Sequence, residues 1–122
     1  MAEIKTMWER ISDHLIENGV DVYAPATHKG ECRKEYVVLK DDGASKYGTF
    51  STAVHYYSVL CYVPRDRRTD LERLVNKCKE IMNNMSPMIM PTGLETPEFY
   101  DDSIKAHMIS IQYRNYVRNR LL

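Results

Sequence analysis

His55-Tyr56-Tyr57-Ser58-Val59-Leu60-Cys61-Tyr62-Val63-Pro64 is the densest run of strand-forming residues in the chain, and its reading decides the fold. β-Branched and aromatic side chains suit a pleated, half-buried surface. Alternate side chains of a strand point to opposite faces. Tyr57, Val59, Cys61 and Val63 therefore share one face, and Tyr56, Ser58, Leu60 and Tyr62 share the other. Neither set carries an acidic or basic residue, which predicts a strand covered on both sides, one side by a neighbouring subunit. Upstream, Tyr36-Val37-Val38-Leu39 has the same two-sided apolar character and predicts a second strand. Asp41-Asp42-Gly43 supplies turn chemistry after it, and residues 44–48 read as a loop.

Helical periodicity flanks these strands. Ile4, Met7, Trp8, Ile11 and Leu15 recur at three- and four-residue steps and predict an amphipathic helix that Asn18-Gly19 stops. Val20 to Pro25 then reads as a short extended piece and residues 26–34 as a polar loop. After Pro64, Thr69 and Glu72 match the T-x-x-E capping box of a second helix. Its stripe is Leu71, Leu74, Val75, Cys78, Ile81, Met82 and Met85, and Pro87 prevents continuation. Trp8, Ile11, Leu74 and Ile81 are expected in the core. Pro91 and Gly93 predict a turn. Glu98-Phe99-Tyr100, a turn at Asp101-Asp102-Ser103 and a long strand from Ile104 to Tyr116 predict a closing hairpin. The order helix, strands, helix, hairpin predicts one α+β domain over residues 1–122: an antiparallel or mixed sheet with both helices on one face, and a flexible tail at 117–122.

Composition narrows the function classes. At 122 residues the chain is one domain's worth, and at 43% hydrophobic it has enough apolar residues for a single core. Seventeen basic residues balance seventeen acidic ones, so no global field gathers nucleic acid or an anionic membrane. No apolar run approaches the ~20 residues of a membrane span, and Glu3, Lys5, Glu9 and Arg10 leave no apolar signal-peptide core at the N-terminus. These features predict synthesis in the cytoplasm. Cys32, Cys61 and Cys78 are an odd number without a CxxC pair, which argues against a disulfide framework or a zinc site.

No catalytic set stands out. His14, His28, His55 and His107 lack the spacing and company of metal ligands. No glycine-rich phosphate loop and no GxSxG is present. The expectation is no catalytic residue, no metal and no cofactor. Nine tyrosines against two phenylalanines point instead to protein contact, since tyrosine has an apolar body and a polar tip. Tyr47, Tyr56 and Tyr62, the basic knuckle Arg65, Arg67 and Arg68, and the acidic pair Asp101 and Asp102 are the candidate subunit or partner contacts.

The order of elements, together with Tyr36 to Lys40, Tyr57 to Pro64, Thr96 to Asp102 and Lys105 to Tyr113, resembles the tail-terminator (tail-completion) proteins of long-tailed phages and prophages. The resemblance covers most of the chain, from Met7 to about Tyr116. It implies an α+β subunit whose sheet is backed by two helices, and a virion location after synthesis in the bacterial host. Such subunits form a ring, commonly a hexamer, on the head-proximal end of the tail tube. The implied partners are further copies, the tail tube protein and a head-completion or neck protein, with DNA passing through the ring without specific binding. No enzyme activity and no membrane are implied. Another head–tail neck protein (head closure or tube-like) and a cytosolic binding module or small enzyme are the alternatives.

Overall fold

The computed structural model describes residues 4–46 and 52–118, and places two helices on one face of a six-stranded mixed sheet. The elements are α1 (Met7–Glu17), β1 (Val22–Tyr23), β2 (Tyr36–Lys46), β3 (Thr52–Pro64), a 3-10 turn (Arg65–Arg67), α2 (Thr69–Asn83), β4 (Met90–Glu95), β5 (Phe99–Asp101) and β6 (Ala106–Arg118). The sheet runs β1-β2-β3-β6-β4, and β5 shares the outer edge of β6 with β4. Among the described residues only the β1–β2 pair is parallel.

The alternation read in β3 holds. Tyr57, Val59, Cys61 and Val63 are buried, joined by Val37 and Leu39 of β2 and by Ile111 and Tyr113 of β6. Onto this inner face α1 sets Ile11 and Leu15, and α2 sets Leu71, Leu74, Val75, Cys78, Ile81 and Met82. Full burial of such a side chain contributes roughly 1.5–3 kcal/mol, and this one cluster holds the two layers together.

Several local expectations are corrected. Ile4 is 94% exposed, because α1 starts only at Met7. Thr6 is its N-cap: the Glu9 N–H donates to the Thr6 hydroxyl, and the Glu9 carboxylate accepts from the Thr6 N–H. The capping box expected at Thr69 and Glu72 does not form. Arg68 is already helical, the 3-10 turn runs straight into α2, and Leu71 N–H donates to the Arg68 carbonyl. Trp8 is only partly buried, with its indole N–H donating to the Leu39 carbonyl at 2.8 Å.

Asp41-Asp42-Gly43 makes a β-bulge rather than a turn. The Asp41 carboxylate accepts from the Gly43 N–H, Gly43 takes φ +90°, and β2 continues through Ala44 to Lys46. A side chain that satisfies the extra residue's amide lets the ladder resume instead of reversing. Pro91 and Gly93 lie in strand β4, whose pairing with β6 lapses between Pro91 and Glu95. β6 extends through Arg118, so the start of the expected flexible tail is strand, and residues 119–122 lie outside the described part.

Candidate interaction surface

The helices cover one face of the sheet and leave the other to be covered in patches. At one end the loop between β1 and β2 folds over the outer face. Its Cys32 N–H donates to the Ile104 carbonyl at 2.8 Å, and Cys32, Tyr36 and Ala106 form a second small buried cluster. His28 stacks on Tyr36 with ring centroids 4.0 Å apart, and Tyr36 stacks on Tyr62 at 5.0 Å. Burial, with a smaller push from Glu31, raises the Cys32 thiol to about 11, so it stays protonated near neutral pH.

Across the middle of the outer face runs a polar belt spanning four strands. Asp42 accepts a short hydrogen bond from the Ser58 hydroxyl and a longer one of 3.4 Å from the Gln112 side-chain amide. Lys40 Nζ lies 3.8 Å from the same carboxylate. The Thr92 hydroxyl donates toward the Gln112 carbonyls. The belt follows from alternation: Lys40, Asp42 (after its bulge), Ser58 and Gln112 all fall on the outward set.

Beyond the belt, at the other end, lies a groove of about 500 Å³ lined by Val54, Tyr56, Thr92, Leu94, Arg114 and Tyr116, with Gln112 at its floor. Leu94 is 59% exposed. The Arg114 guanidinium sits 5.6 Å above the Tyr116 ring, and its Nε is buried without a hydrogen bond. A second groove of about 570 Å³ separates α2 from the lapse in β4, with Ile89, Ile111 and Tyr113 among its lining residues and a Lys79–Glu95 ion pair at 2.5 Å beside it.

The candidate contacts fall at separate places. Tyr56 pairs with Arg114 across the ladder and lines the 500 Å³ groove. Tyr62 is half-buried in the aromatic corner at the opposite end. The knuckle Arg65 to Arg68 lies at that same end, tied to the β5–β6 turn by the Arg65 N–H, which donates to the Lys105 carbonyl at 3.1 Å. Arg67 pairs with Asp70 at 2.9 Å, and Arg68 pairs with Glu98 at 2.8 Å. Glu98 also lies 3.4 Å from His107 Nδ1, which is buried without a hydrogen bond, while His107 Nε2 is 3.1 Å from the Arg65 carbonyl. The Arg68 hydrogen bond holds the Glu98 carboxyl below its ordinary range.

Asp101 accepts from the backbone and hydroxyl of Ser103 and so shapes the turn, and Asp102 beside it is exposed. The arginine knuckle and the acidic turn are thus neighbours within one subunit. Tyr47 lies outside the described residues. The sequence offers Arg114 only as one of a basic C-terminal stretch with Arg118 and Arg120, and gives no signal for Leu94 or the exposed Phe99; in the sheet Arg114 continues the outward set of Met108, Ser110 and Gln112.

The histidines are spread over the molecule. His14 Nε2 meets the Ile81 carbonyl at 2.8 Å, and His55 meets Asp41 at 2.8 Å while stacking on Tyr57. Among the described residues no three His, Cys, Asp or Glu side chains converge as a metal site would require. No described helix is long and apolar enough to cross a membrane. In comparisons with known proteins, no family model matches this chain and no curated protein matches it.

Proposed function

We propose that this chain is a structural subunit of a long-tailed phage or prophage particle, a tail terminator that closes into a ring on the tail tube and offers the surface to which the head joins. The observation that carries the reading is the outer sheet face. Both helices sit on the inner face, while the outer one holds half-buried Tyr56, Leu60 and Met108, exposed Leu94, Phe99 and Tyr116, and a fixed polar belt. A face of mixed apolar and hydrogen-bonding character fits a protein partner better than open solvent. The resemblance in element order supports the tail terminator as the particular assembly.

In this reading the partners are further copies in a ring, a hexamer by analogy with the family, the tail tube protein and a neck protein. The balanced charge suits a ring through which DNA slides without being held. The protein then resides in the virion, at the head-proximal end of the tail. Deleting the gene from its phage and imaging the lysate tests this. Tails of uncontrolled length beside unjoined heads are expected. Normal-length tails joined to full heads would sink the assignment, and normal tails beside heads that leak DNA would point to a head-closure protein instead.

A further inference from the structure

Resting on that self-assembly, we infer that the Arg114 groove of one subunit receives the Asp101–Asp102 turn of the next. A closed ring needs a head-to-tail contact in which one patch meets a different patch of the neighbouring copy. The two patches must therefore lie apart on the subunit. The arginine knuckle does not qualify as the partner of the acidic turn, because Arg65 is hydrogen-bonded to Lys105 at the end of the sheet where that turn lies. Two of its arginines, Arg67 and Arg68, also have carboxylates within the chain.

Arg114 does qualify. It lies eight residue steps along β6 from Ala106, or about 26 Å at ~3.3 Å per residue. Among the described residues no carboxylate lies within ion-pair distance of it, and its Nε is a buried donor with no acceptor. Tyr116 supports the guanidinium from below, and the groove beside it is otherwise uncharged. A half-buried cation without a counter-ion attracts a carboxylate strongly, because little water is left to screen it.

The other half matches. Asp102 is exposed at the tip of a turn, without a hydrogen bond or ion pair among the described residues, and Asp101 doubles the negative charge there. Asp101 keeps the turn rigid through Ser103, so the carboxylate of Asp102 is presented with little entropy left to lose. Leu94 and Tyr56 flank the groove and give the contact an apolar rim.

The test is a charge exchange in the full chain, read by sedimentation velocity over a concentration series at low and moderate salt. Arg114→Glu alone and Asp102→Arg alone should each weaken self-association at least about tenfold. The double exchange should return it to within about threefold of the parent. Circular dichroism checks the fold; if Arg114→Glu is misfolded, Arg114→Gln and the exposed Asp102→Arg decide. Single variants that associate like the parent, a double variant no better than the singles, or a parent that stays monomeric at every concentration would each overturn the contact. Tail imaging separates this from the wider reading. Uncontrolled tails on gene deletion with no effect of either charge variant would keep the terminator and discard this contact. Charge-exchange rescue in a protein whose deletion leaves tails normal would keep the contact and discard the terminator.

Discussion

Replacing Leu74 by Ala probes the helix-to-sheet layer directly. Leu74 is 2% exposed and belongs to the main core cluster. The change deletes three carbons; at ~0.8 kcal/mol each, about 2.4 kcal/mol of transfer energy is lost. A cavity adds to this where neighbours cannot close in. Leu74 also lines two surface grooves, beside Lys77 and Glu35, so part of the space opens to solvent rather than staying void. The expected total is therefore ~3 kcal/mol, in the lower half of the usual range for buried Leu→Ala. Leu94→Ala is the internal control. Leu94 is 59% exposed, so the same chemical deletion should cost no more than ~0.5 kcal/mol. Urea unfolding followed by circular dichroism measures both, with unchanged slopes required for the comparison. A loss below ~1 kcal/mol at Leu74, or a loss at Leu94 as large as at Leu74, would refute the assignment of α2's stripe to the core.

Two further outcomes follow from the local geometry. Thr6→Ala should cost ~1 kcal/mol, the usual effect of losing an N-cap, whereas Thr69→Ala should stay within ~0.5 kcal/mol; equal losses in thermal or urea unfolding would contradict the assignment of the capping box to α1. Stability should also fall on the alkaline side. Burial raises the Cys32 thiol to about 11 and pushes the Tyr36, Tyr57, Tyr62 and Tyr113 phenols up, and the Cys78 contact followed by burial does the same for Cys61. The unfolded chain releases these protons from about pH 8.5 for thiols and about pH 10 for phenols. The folded chain holds them, so this stability is intact below about pH 8.5 and drains away as pH rises toward the folded values. A Tm at pH 10.5 equal to that at pH 7 would show that these groups are not shielded.

The elements with strong periodicity were legible from sequence because their pattern is set by the core they face. β3, β6 and α2 are of this kind: all four residues of the Tyr57 face of β3 are buried, while on the other face Ser58 is buried and Tyr56, Leu60 and Tyr62 are half-buried. The misreadings are places where a short motif had two uses. Thr6-x-x-Glu9 and Thr69-x-x-Glu72 carry the same pattern, and only the first is a capping box, because Arg65–Arg67 already wind into a 3-10 turn that feeds α2. Asp-Asp-Gly fits a turn and a bulge equally well; the Asp41 carboxylate on the Gly43 amide decides for the bulge. The candidate surface was half visible. Alternation separated Tyr56 from the Tyr57 face, but β4's lapse beside β6, which completes the Arg114 groove, depends on pairing across the sheet and leaves no local trace.

The way the sheet edges are finished restricts how copies of this chain can meet. An open edge invites another strand, and proteins guard against it with bulges, prolines and charge. Both edges here are guarded. β1 covers only Val37 and Val38 of β2. The next outward carbonyl, at Leu39, is taken by the Trp8 indole, and the Gly43 amide by Asp41 across the bulge. On the far side Pro91 removes a donor from β4, and the strand departs from its ladder directly after it. Strand addition at Leu39 or Gly43 would have to break a satisfied hydrogen bond before it made one, and at Pro91 it would find no donor. The outer face and the two ends of the sheet carry no such guard. In the proposed ring, copies would therefore meet through side chains on that face, in a contact that titrates with salt and charge reversal, and not through a continuous backbone ladder, which would be insensitive to both.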